Sequence, residues 1–228
     1  MPRTNSFGQP VGPDLGDWSP PPFPEPISML GRYVALEPLT DGHAVPLFEA
    51  ISSSPESLWT YMAMGPFPDV EAMAAAIDRM NGYDDRLPFA ITVDRRALGF
   101  ASYLRIDAPG GVIEVGSIVF SPALQRTRSA TEAIYLMIDN AFELGYRRCE
   151  WKCDDLNAAS RRAAKRFGFR YEGTFLQGTH YKGRSRDTAW YAITDRQWPG
   201  LKAAFESWLD PMNFDDTGEQ RTTLESLR

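Results

Sequence analysis

Cysteine and histidine are both scarce in this chain, which has only two of each among its 228 residues. The cysteines, Cys149 and Cys153, are four positions apart and form no CxxC pair. Two histidines and two cysteines in this pattern do not make a zinc-binding set. The sequence therefore predicts no metal site and two reduced, partly buried thiols.

A basic excess and long apolar runs are also missing. The chain has 24 Lys and Arg against 30 Asp and Glu, a formal net charge of −6, whereas a general nucleic-acid binder needs a basic face. No apolar run is long enough to span a bilayer, and the first residues lack the pattern of a secretory signal. We therefore expect a cytoplasmic protein with no nucleic-acid and no membrane partner. Its 43% hydrophobic content is sufficient for a real core.

The composition divides the chain into three parts. Residues 1–29 are rich in Pro and Gly, which excludes regular helix and inner strand. They form either a disordered tail or an extended arm that packs Trp18 and Phe23 on the domain or on a neighbouring subunit. We favour the arm, because disordered tails seldom carry bulky aromatic residues. Residues 30–210 are expected to form one domain, and the polar tail at residues 211–228 is expected to be disordered.

Hydrophobic periodicity predicts the element order βαα-βββ-α-β-α-ββ within that domain. The predicted strands are residues 32–39, 89–93, 98–106, 112–120, 148–154, 171–181 and 188–193. The predicted helices are residues 41–51, 70–81, 130–142, 157–167 and 195–209. This order is typical of an α+β protein with a central mixed sheet. A loop with Trp59, Tyr61 and Met62 either borders a substrate site or caps the core.

The most informative stretch is the strand, turn and helix between residues 112 and 145. Gly116 interrupts the strand, and a glycine in a strand often marks a bulge or a close approach of a ligand. The turn at residues 125–130 places two arginines, two hydroxyls and free N–H groups at the start of an amphipathic helix. A helix N-terminus attracts anions, because its unpaired N–H groups and its positive dipole end point the same way.

These residues resemble the acyl-coenzyme A site of the GNAT (GCN5-related) N-acetyltransferases. The turn of that family carries Gln/Arg-x-x-Gly-x-Gly/Ala around the pyrophosphate of the cofactor. Gln125 and Ala130 match this pattern, whereas Arg128 stands where the family has glycine.

A second series is similar to the ribosomal-protein alanine acetyltransferase (RimJ/RimL-like) branch of that family. It consists of Asn157-x-x-Ser160, then Phe167-Gly168-Phe169 and Glu172-Gly173, in the same order as in the branch. Many relatives outside this branch place a tyrosine on the helix after Asn157, as the acid that reprotonates the leaving thiolate. Ala164 occupies that position here.

The resemblance covers residues 32–209 and implies a GNAT-like acyl-CoA N-acyltransferase fold. Its α+β architecture has a mixed, mostly antiparallel, twisted sheet with one splayed pair of strands, flanked by helices. It also implies acetyl-CoA as co-substrate, with the strand backbone along pantetheine, the turn N–H groups on the pyrophosphate and two arginines adding charge. The residues expected to bind the cofactor are Ile118, Val119, Phe120, Gln125, Arg126, Thr127, Arg128, Ser129, Ala130, Asn157 and Ser160.

The implied reaction requires a base, because an amine is protonated at neutral pH and must lose a proton before it attacks a thioester. Glu114 is the first candidate, with a cross-strand ion pair as the alternative interpretation. His180 is the second, since an imidazole ordinarily titrates near neutral pH. By resemblance, Ser160 lies near the cofactor sulfur. A backbone N–H near Ile118 or Val119 would stabilise the oxyanion.

Three functions are compatible with this pattern. The first is an acetyl-CoA-dependent N-acetyltransferase whose acceptor is a primary amine, at a protein or peptide N-terminus or on a small molecule. The acetyl group would move by direct attack in a ternary complex. The alternatives are a catalytically silent acyl-CoA-binding or protein-interaction member, and an aminoglycoside or polyamine acetyltransferase. Exposed strands near the C-terminus and the aromatic arm also make a homodimer an expectation.

Overall fold

The structure, a computed structural model, describes residues 3–228; Met1 and Pro2 of the predicted arm lie outside the described residues. The described strands are β1 (Arg3–Thr4), β2 (Pro10–Val11), β3 (Met29–Leu30), β4 (Ala35–Pro38), β5 (Leu87–Val93), β6 (Arg96–Asp107), β7 (Val112–Phe120), β8 (Arg148–Asp154), β9 (Arg170–Tyr181) and β10 (Arg184–Thr194). The described α-helices are α1 (Ala44–Ile51), α2 (Val70–Asn81), α3 (Arg128–Glu143), α4 (Ala158–Arg166) and α5 (Trp198–Leu209).

Eight of these strands form one sheet in the order β3-β4-β5-β6-β7-β8-β10-β9. All neighbouring pairs are antiparallel except β7 and β8, which are parallel. The β7–β8 pairing ends at Glu114 opposite Glu150, although β7 continues to Phe120 and β8 to Asp154. The predicted α+β class, with a mostly antiparallel sheet and one splayed pair of strands, is confirmed.

The two faces of the sheet are covered differently, because successive residues of a strand point to opposite faces. On one face Ile113 and Val115 of β7 pack in the main core with α3 and α5, including Ile134 and Phe205. On the other face α1 and α2 cover the β5–β6 half through a second cluster around Phe100. On this second face, α1 and α2 therefore do not cover β8 and β10.

Caps and glycines define boundaries of α3 and α4 close to where the sequence predicts them, whereas α1 and α5 begin three residues later than predicted, at Ala44 and Trp198. Thr127 accepts a hydrogen bond from the Ala130 N–H at the start of α3, at 3.1 Å. Gly168 ends α4 with a φ of 93°, in the left-handed region that favours glycine. A methyl group at Gly168 would also collide with Leu201 of α5, at 2.6 Å.

The first predicted strand is shorter in the structure. β4 begins at Ala35, because the N–H groups of Arg32 and Tyr33 donate to the carboxylate of Glu132 in α3, at 2.9 and 2.6 Å. These donors are therefore satisfied by a side chain instead of a strand partner.

The segment after Pro211 differs from the expectation of disorder, which is wrong. Leu224 is fully buried and Phe214 is nearly so. The Trp208 indole N–H donates to Gln220 at 2.6 Å and ties the segment to α5. The expectation failed because two apolar anchors packed in the main core are enough to hold a mostly polar segment in place.

The N-terminal segment contacts the far end of α3. The Trp18 indole N–H donates to the Gly145 carbonyl at 3.0 Å, and the Tyr146 hydroxyl donates to the Pro22 carbonyl at 3.1 Å. Phe23 remains 45% exposed. Trp18 therefore packs on the domain as the arm interpretation predicts, whereas Phe23 does not become buried. Across residues 3–228, no helix has the length and apolarity needed to cross a membrane.

Candidate active site

A β-bulge lies on β7 where this strand leaves β8. The pairing with β6 shifts between Val119 and Gly116, and Ser117 has a φ of 50°. A methyl group at Gly116 would lie 2.8 Å from Leu104 Cδ1 and 3.0 Å from Glu114 Oε1. Glycine therefore allows Leu104 and Glu114 to pack closely against the backbone at the branching point. Beyond it, residues 118–120 have a strand partner on the β6 side alone.

The turn after β7 is held by its own hydrogen bonds. The Ser121 carbonyl accepts the Gln125 N–H at 3.0 Å, and Gln125 Nε2 donates to the Phe120 carbonyl at 3.0 Å. Arg126 carries the left-handed conformation, with a φ of 62°. Arg128 is the first residue of α3, so glycine is not needed there, which explains how the chain departs from the family pattern.

Three backbone N–H groups of this turn remain available. Within residues 3–228, no protein acceptor takes the N–H groups of Arg126, Arg128 or Ser129. The other three predicted donors, at Gln125, Thr127 and Ala130, are used inside the turn itself. Free N–H groups at the positive end of a helix dipole attract anions, so we name the turn at residues 125–130 the anion cradle, a candidate site for a diphosphate.

The side chains of the turn differ in whether they already have partners in the described chain. The Arg128 guanidinium lies between the rings of Tyr33 and Phe214, 4.9 and 4.6 Å from their centroids. Ser129 Oγ donates to the Tyr33 carbonyl at 3.0 Å. Arg126 is exposed and contacts no partner in the described chain. Arg126 is therefore the arginine that can bring free positive charge to the cradle.

Ser160 and Asn157 lie on the α4 side of β8. Asn157 Oδ1 accepts the Ser160 N–H at 3.0 Å, and Ser160 Oγ accepts the Trp151 indole N–H at 2.9 Å. Burial raises the pKa of the adjacent Cys153 thiol, while a hydrogen bond with Ser160 lowers it. Ala164 is fully buried where many relatives have tyrosine, so α4 offers no phenol at this position.

Glu114 forms an ion pair on the sheet face opposite α3 and α4. Its side chain is 2% exposed, and its two oxygens accept from Arg105 Nε and Nη2, both at 2.7 Å. Lys152 Nζ lies 3.2 Å from the same carboxylate and 2.6 Å from that of Glu150. This arrangement favours the cross-strand ion pair that the sequence left open, because charged donors already occupy both oxygens.

His180 lies near the end of β9, at the edge of the sheet, where it is exposed opposite Ser185. The neighbouring residue, Tyr181, donates its hydroxyl proton to Asp154 Oδ2 at 2.6 Å. Since adjacent strand residues point to opposite faces, His180 points away from the face that holds Asp154 and Glu114. The structure brings Tyr181 to this face, a residue that the sequence pattern did not single out.

The tip of the β9–β10 hairpin is tied to the loop between α1 and α2. Lys182 Nζ donates to the carbonyls of Trp59 and Gly65 at 2.9 and 2.8 Å, and Arg184 Nη2 donates to the Thr60 carbonyl at 2.6 Å. Trp59 is buried and packs edge-on against Phe67. Trp59 thus caps the core, while its loop and the hairpin form one joined structure, which we name the hairpin clasp.

A basic cavity of about 510 Å³ lies between α4 and the C-terminal segment. It is lined by Arg162, Ala163, Lys165, Arg166, Glu225 and Arg228. Arg166 Nη1 donates to Thr131 Oγ1 in the first turn of α3, at 3.1 Å. Burial lowers the pKa of Arg166, against an opposing effect of Glu225. The cavity therefore suits an anion close to the start of α3. Among residues 3–228, no group of three or more metal-ligating side chains comes together.

Comparisons with known proteins agree with this geometry. The profile of a family described as acetyltransferase (GNAT) domain matches residues 34–170. A GCN5-related N-acetyltransferase from Brucella melitensis is 43% identical, with a TM-score of 0.90 over 93% of this chain and 99% of that one. A GNAT-family chain from Chromobacterium violaceum ATCC 12472 is 39% identical, with a TM-score of 0.80 over 84% and 98%.

More distant structures share the fold alone. RimJ from Mycobacterium smegmatis, solved in complex with CoA-disulfide, is 20% identical, with a TM-score of 0.64 over 73% of this chain and 84% of that one. A search of curated proteins returned no match.

Proposed function

Since the chain belongs to the GNAT acetyltransferase family, whose members use acetyl-CoA, we propose that it transfers the acetyl group to a primary amine by direct attack in a ternary complex. The observation that carries this proposal is the branching of β7 and β8 after Glu114, directly before the turn with three free N–H groups. A thioester arm needs an unpaired strand beside it, and its diphosphate needs donors at the end of that strand. The chain offers both in sequence.

The cofactor would be held mainly by backbone. The unpaired edge at residues 118–120 would hydrogen-bond the pantetheine arm, and the N–H groups of Arg126, Arg128 and Ser129 would bind the pyrophosphate. Arg126 would add charge. Asn157 and Ser160 would lie beside the arm from the α4 side, with Ser160 oriented by the Trp151 indole. Acetyl-CoA supplies the activated acetyl group, and the protein supplies position and proton acceptors.

The basic cavity supports a place for the nucleotide end of the cofactor. Arg166 links the cavity to the first turn of α3, where the pyrophosphate would bind. A bound phosphate would offset the partial desolvation of this guanidinium. Calorimetry with coenzyme A and with dephospho-coenzyme A, which lacks the 3′-phosphate, tests this placement. We expect Arg162→Ala to weaken coenzyme A binding while leaving dephospho-coenzyme A binding unchanged.

The acceptor remains a proposal at the level of its chemical class. Glu114 and His180 remain the sequence-derived base candidates, although Glu114 is held by Arg105 and Lys152 and His180 is exposed. The hairpin clasp borders the face where an acceptor would enter. A protein or peptide N-terminus and a small amine, including an aminoglycoside or polyamine, are the acceptor classes to compare.

Thiol release from acetyl-CoA tests the function. The purified protein is incubated with acetyl-CoA and a panel of Ala- and Ser-starting peptides, spermidine, kanamycin and benzylamine. We expect amine-dependent thiol release and an acetylated product by mass spectrometry. Calorimetric binding of coenzyme A without turnover on any amine would favour the silent alternative. Absence of binding at millimolar coenzyme A would contradict the proposal.

Assembly and location are separate proposals. We propose a homodimer through the exposed edge strand β9, which carries the exposed apolar residues Phe175 and Leu176. Light scattering tests it, because a Leu176→Lys variant should then be monomeric. A cytoplasmic location, the absence of nucleic-acid partners and membership of the RimJ/RimL-like branch remain predictions from the sequence.

A further inference from the structure

Three carboxylates of β7 and β8 share the sheet face opposite α3 and α4. Glu114, Glu150 and Asp154 lie on this face, because they alternate with residues such as Ile113, Cys149 and Cys153 that pack in the main core. Glu114 and Glu150 are both paired with cations, including Lys152. No described cation forms an ion pair with Asp154. Asp154 is therefore the one of these three carboxylates that has no ionic partner in the part of the chain that the structure describes.

Asp154 is the last residue of β8, beyond the point where β7 has departed. It is 6% exposed. Its Oδ1 accepts the Leu156 N–H at 2.9 Å, and its Oδ2 accepts the Tyr181 hydroxyl at 2.6 Å. Burial and the Asp154 charge raise the pKa of Tyr181 to about 12, so Tyr181 stays protonated and acts as the donor. Two neutral donors orient this carboxylate without neutralising it.

A second observation concerns unpartnered polar atoms on the same face. Trp190 Nε1 and Arg186 Nε on β10, and Ser102 Oγ on β6, are buried and have no hydrogen-bond partner in the described chain. The guanidinium of Arg186 lies over the Tyr181 ring, 5.7 Å from its centroid, instead of pairing with Asp154. Buried polar groups are normally satisfied. The Trp190 and Arg186 atoms can only donate, so they suit an acceptor oxygen such as that of the thioester carbonyl, whereas the Ser102 hydroxyl can also accept from an ammonium group.

We propose that Asp154 binds the ammonium group of the acceptor amine and accepts its proton. This inference rests on the proposed function and narrows it to acceptors that are cationic at neutral pH. The positive partner of Asp154 would be the substrate itself, which enters where β7 and β8 branch, on the sheet face opposite α3 and α4. A buried carboxylate that accepts from neutral hydrogen-bond donors and is in no ion pair attracts a cation more strongly than one already in an ion pair.

The proposed step balances as follows. Asp154 accepts one ammonium proton, and the freed lone pair of the nitrogen forms a bond to the thioester carbonyl carbon. The carbon–sulfur bond breaks with its electron pair on sulfur, and the second ammonium proton moves to that sulfur to give the thiol. Asp154 then returns its proton to solvent. Tyr181 keeps the carboxylate oriented throughout and acts as a positioning residue.

The test compares Asp154→Asn with the wild-type protein on matched amines. Benzylamine is protonated at pH 7.5, whereas aniline is neutral, so aniline needs no proton acceptor before it attacks. We expect Asp154→Asn to lower kcat/KM for benzylamine by about 100-fold or more, within the range of general-base losses. The loss with aniline should be less than about fivefold, and the Kd of coenzyme A should not change. Asp155→Asn, the same substitution at the next residue, is the control and should keep benzylamine activity.

A binding measurement keeps the test independent of turnover. Line broadening in NMR compares benzylammonium with benzyl alcohol on the protein saturated with coenzyme A. We expect the wild-type protein to prefer the cation and Asp154→Asn to lose that preference. Equal losses with benzylamine and aniline, or an unchanged preference for the cation, would overturn the inference. If the wild-type protein acetylates no amine, the proposed function fails, while the binding arm still decides the role of Asp154.

Discussion

Gly99 of β6 shows how one residue determines the position of the end of β7, where that strand has left β8. A methyl group at Gly99 would press on the Val119 carbonyl oxygen, with Leu124 Cδ2 and Phe120 Cα at 3.0 and 3.3 Å. All three atoms belong to the end of β7 and its turn. The carbonyl oxygen is backbone and cannot rotate away, so the strand itself must move. The shape of the proposed cradle therefore depends on the absence of one side chain on the neighbouring strand.

We predict that Gly99→Ala lowers both stability and cofactor affinity. Overpacking in a tightly packed sheet costs about 1–3 kcal/mol, and displacement of Val119 should weaken coenzyme A binding in calorimetry. Gly200→Ala is the matched control, since nothing lies within 4 Å of a methyl group there. As Gly200 lies in α5, its replacement should be neutral or slightly stabilising. An unchanged Kd of coenzyme A for Gly99→Ala would show that the end of β7 does not bind the cofactor.

Glu172 gives a prediction about pH. The Arg148 guanidinium donates to both oxygens of Glu172 and holds the pKa of this carboxyl below its ordinary value of 4.5. A carboxyl with a lowered folded-state pKa contributes stability above the ordinary value and loses it as the pH falls through the folded-state pKa. Glu172→Gln should therefore destabilise the protein by less than about 1 kcal/mol at pH 7, because the pair is partly exposed.

The measurement is urea unfolding of both proteins at pH 7 and at a series of lower pH values. The difference between them should shrink as the pH falls through the lowered folded-state pKa of Glu172, where this carboxyl becomes protonated. A difference that stays constant across this range would show that the ion pair does not contribute.

At the scale of elements, local signals predict helices well and strand pairing poorly. The boundaries of α2 and α3 follow from an apolar stripe and from Asp69 and Thr127, both of which cap a helix through their side chains. The branching of β7 and β8 could be expected only by resemblance, because the length of a parallel pairing depends on residues far apart in sequence. The left-handed conformation at Ser117 could not be predicted either, because glycine usually marks such a position and here the neighbouring Gly116 does not adopt it.

In the candidate site too, features formed by contiguous residues could be predicted from the sequence, whereas features that join distant residues could not. The turn at residues 125–130 is recognisable because its chemistry is contiguous. In contrast, the Glu114–Arg105–Lys152 cluster joins three strands, so a single carboxylate in the sequence resembles a free base as much as an ion pair. Asp154 and Tyr181 are 27 positions apart and meet only because β10 lies between their strands.

The hairpin clasp leads to a prediction at this scale. Lys182→Met removes the donors to the Trp59 and Gly65 carbonyls and keeps much of the side-chain length. We expect faster amide hydrogen exchange at residues 59–66 and a higher KM for the amine acceptor, with an unchanged Kd for coenzyme A. Arg79→Met, which removes an exposed charge on α2, is the control. Weaker coenzyme A binding in Lys182→Met would contradict the assignment of the clasp to the acceptor side.

At the scale of the whole molecule, the C-terminal segment connects the site to the rest of the fold. Phe214 contacts the guanidinium of Arg128 at the start of α3, and Trp208 of α5 packs edge-on against Phe214. The same segment supplies Glu225 and Arg228 to the basic cavity. The last 18 residues thus support both the cradle and the cavity from outside the sheet, and loss of their anchor should affect both.

The anchor of this segment is Leu224, which is fully buried. Leu224→Ala should lower the free energy of unfolding by about 2–5 kcal/mol, since the methyl groups leave a cavity that rigid neighbours fill only partly. It should also weaken coenzyme A binding, because Glu225, Arg228 and Phe214 lose their fixed positions. Met212→Ala is the matched control: Met212 lies in the same segment but is 81% exposed, so its change should stay within about 0.5 kcal/mol. Urea unfolding and calorimetry measure both variants. Equal stability of the two variants would mean that the segment is not docked. Reduced stability of Leu224→Ala with full coenzyme A affinity would show that the segment does not support the cofactor site.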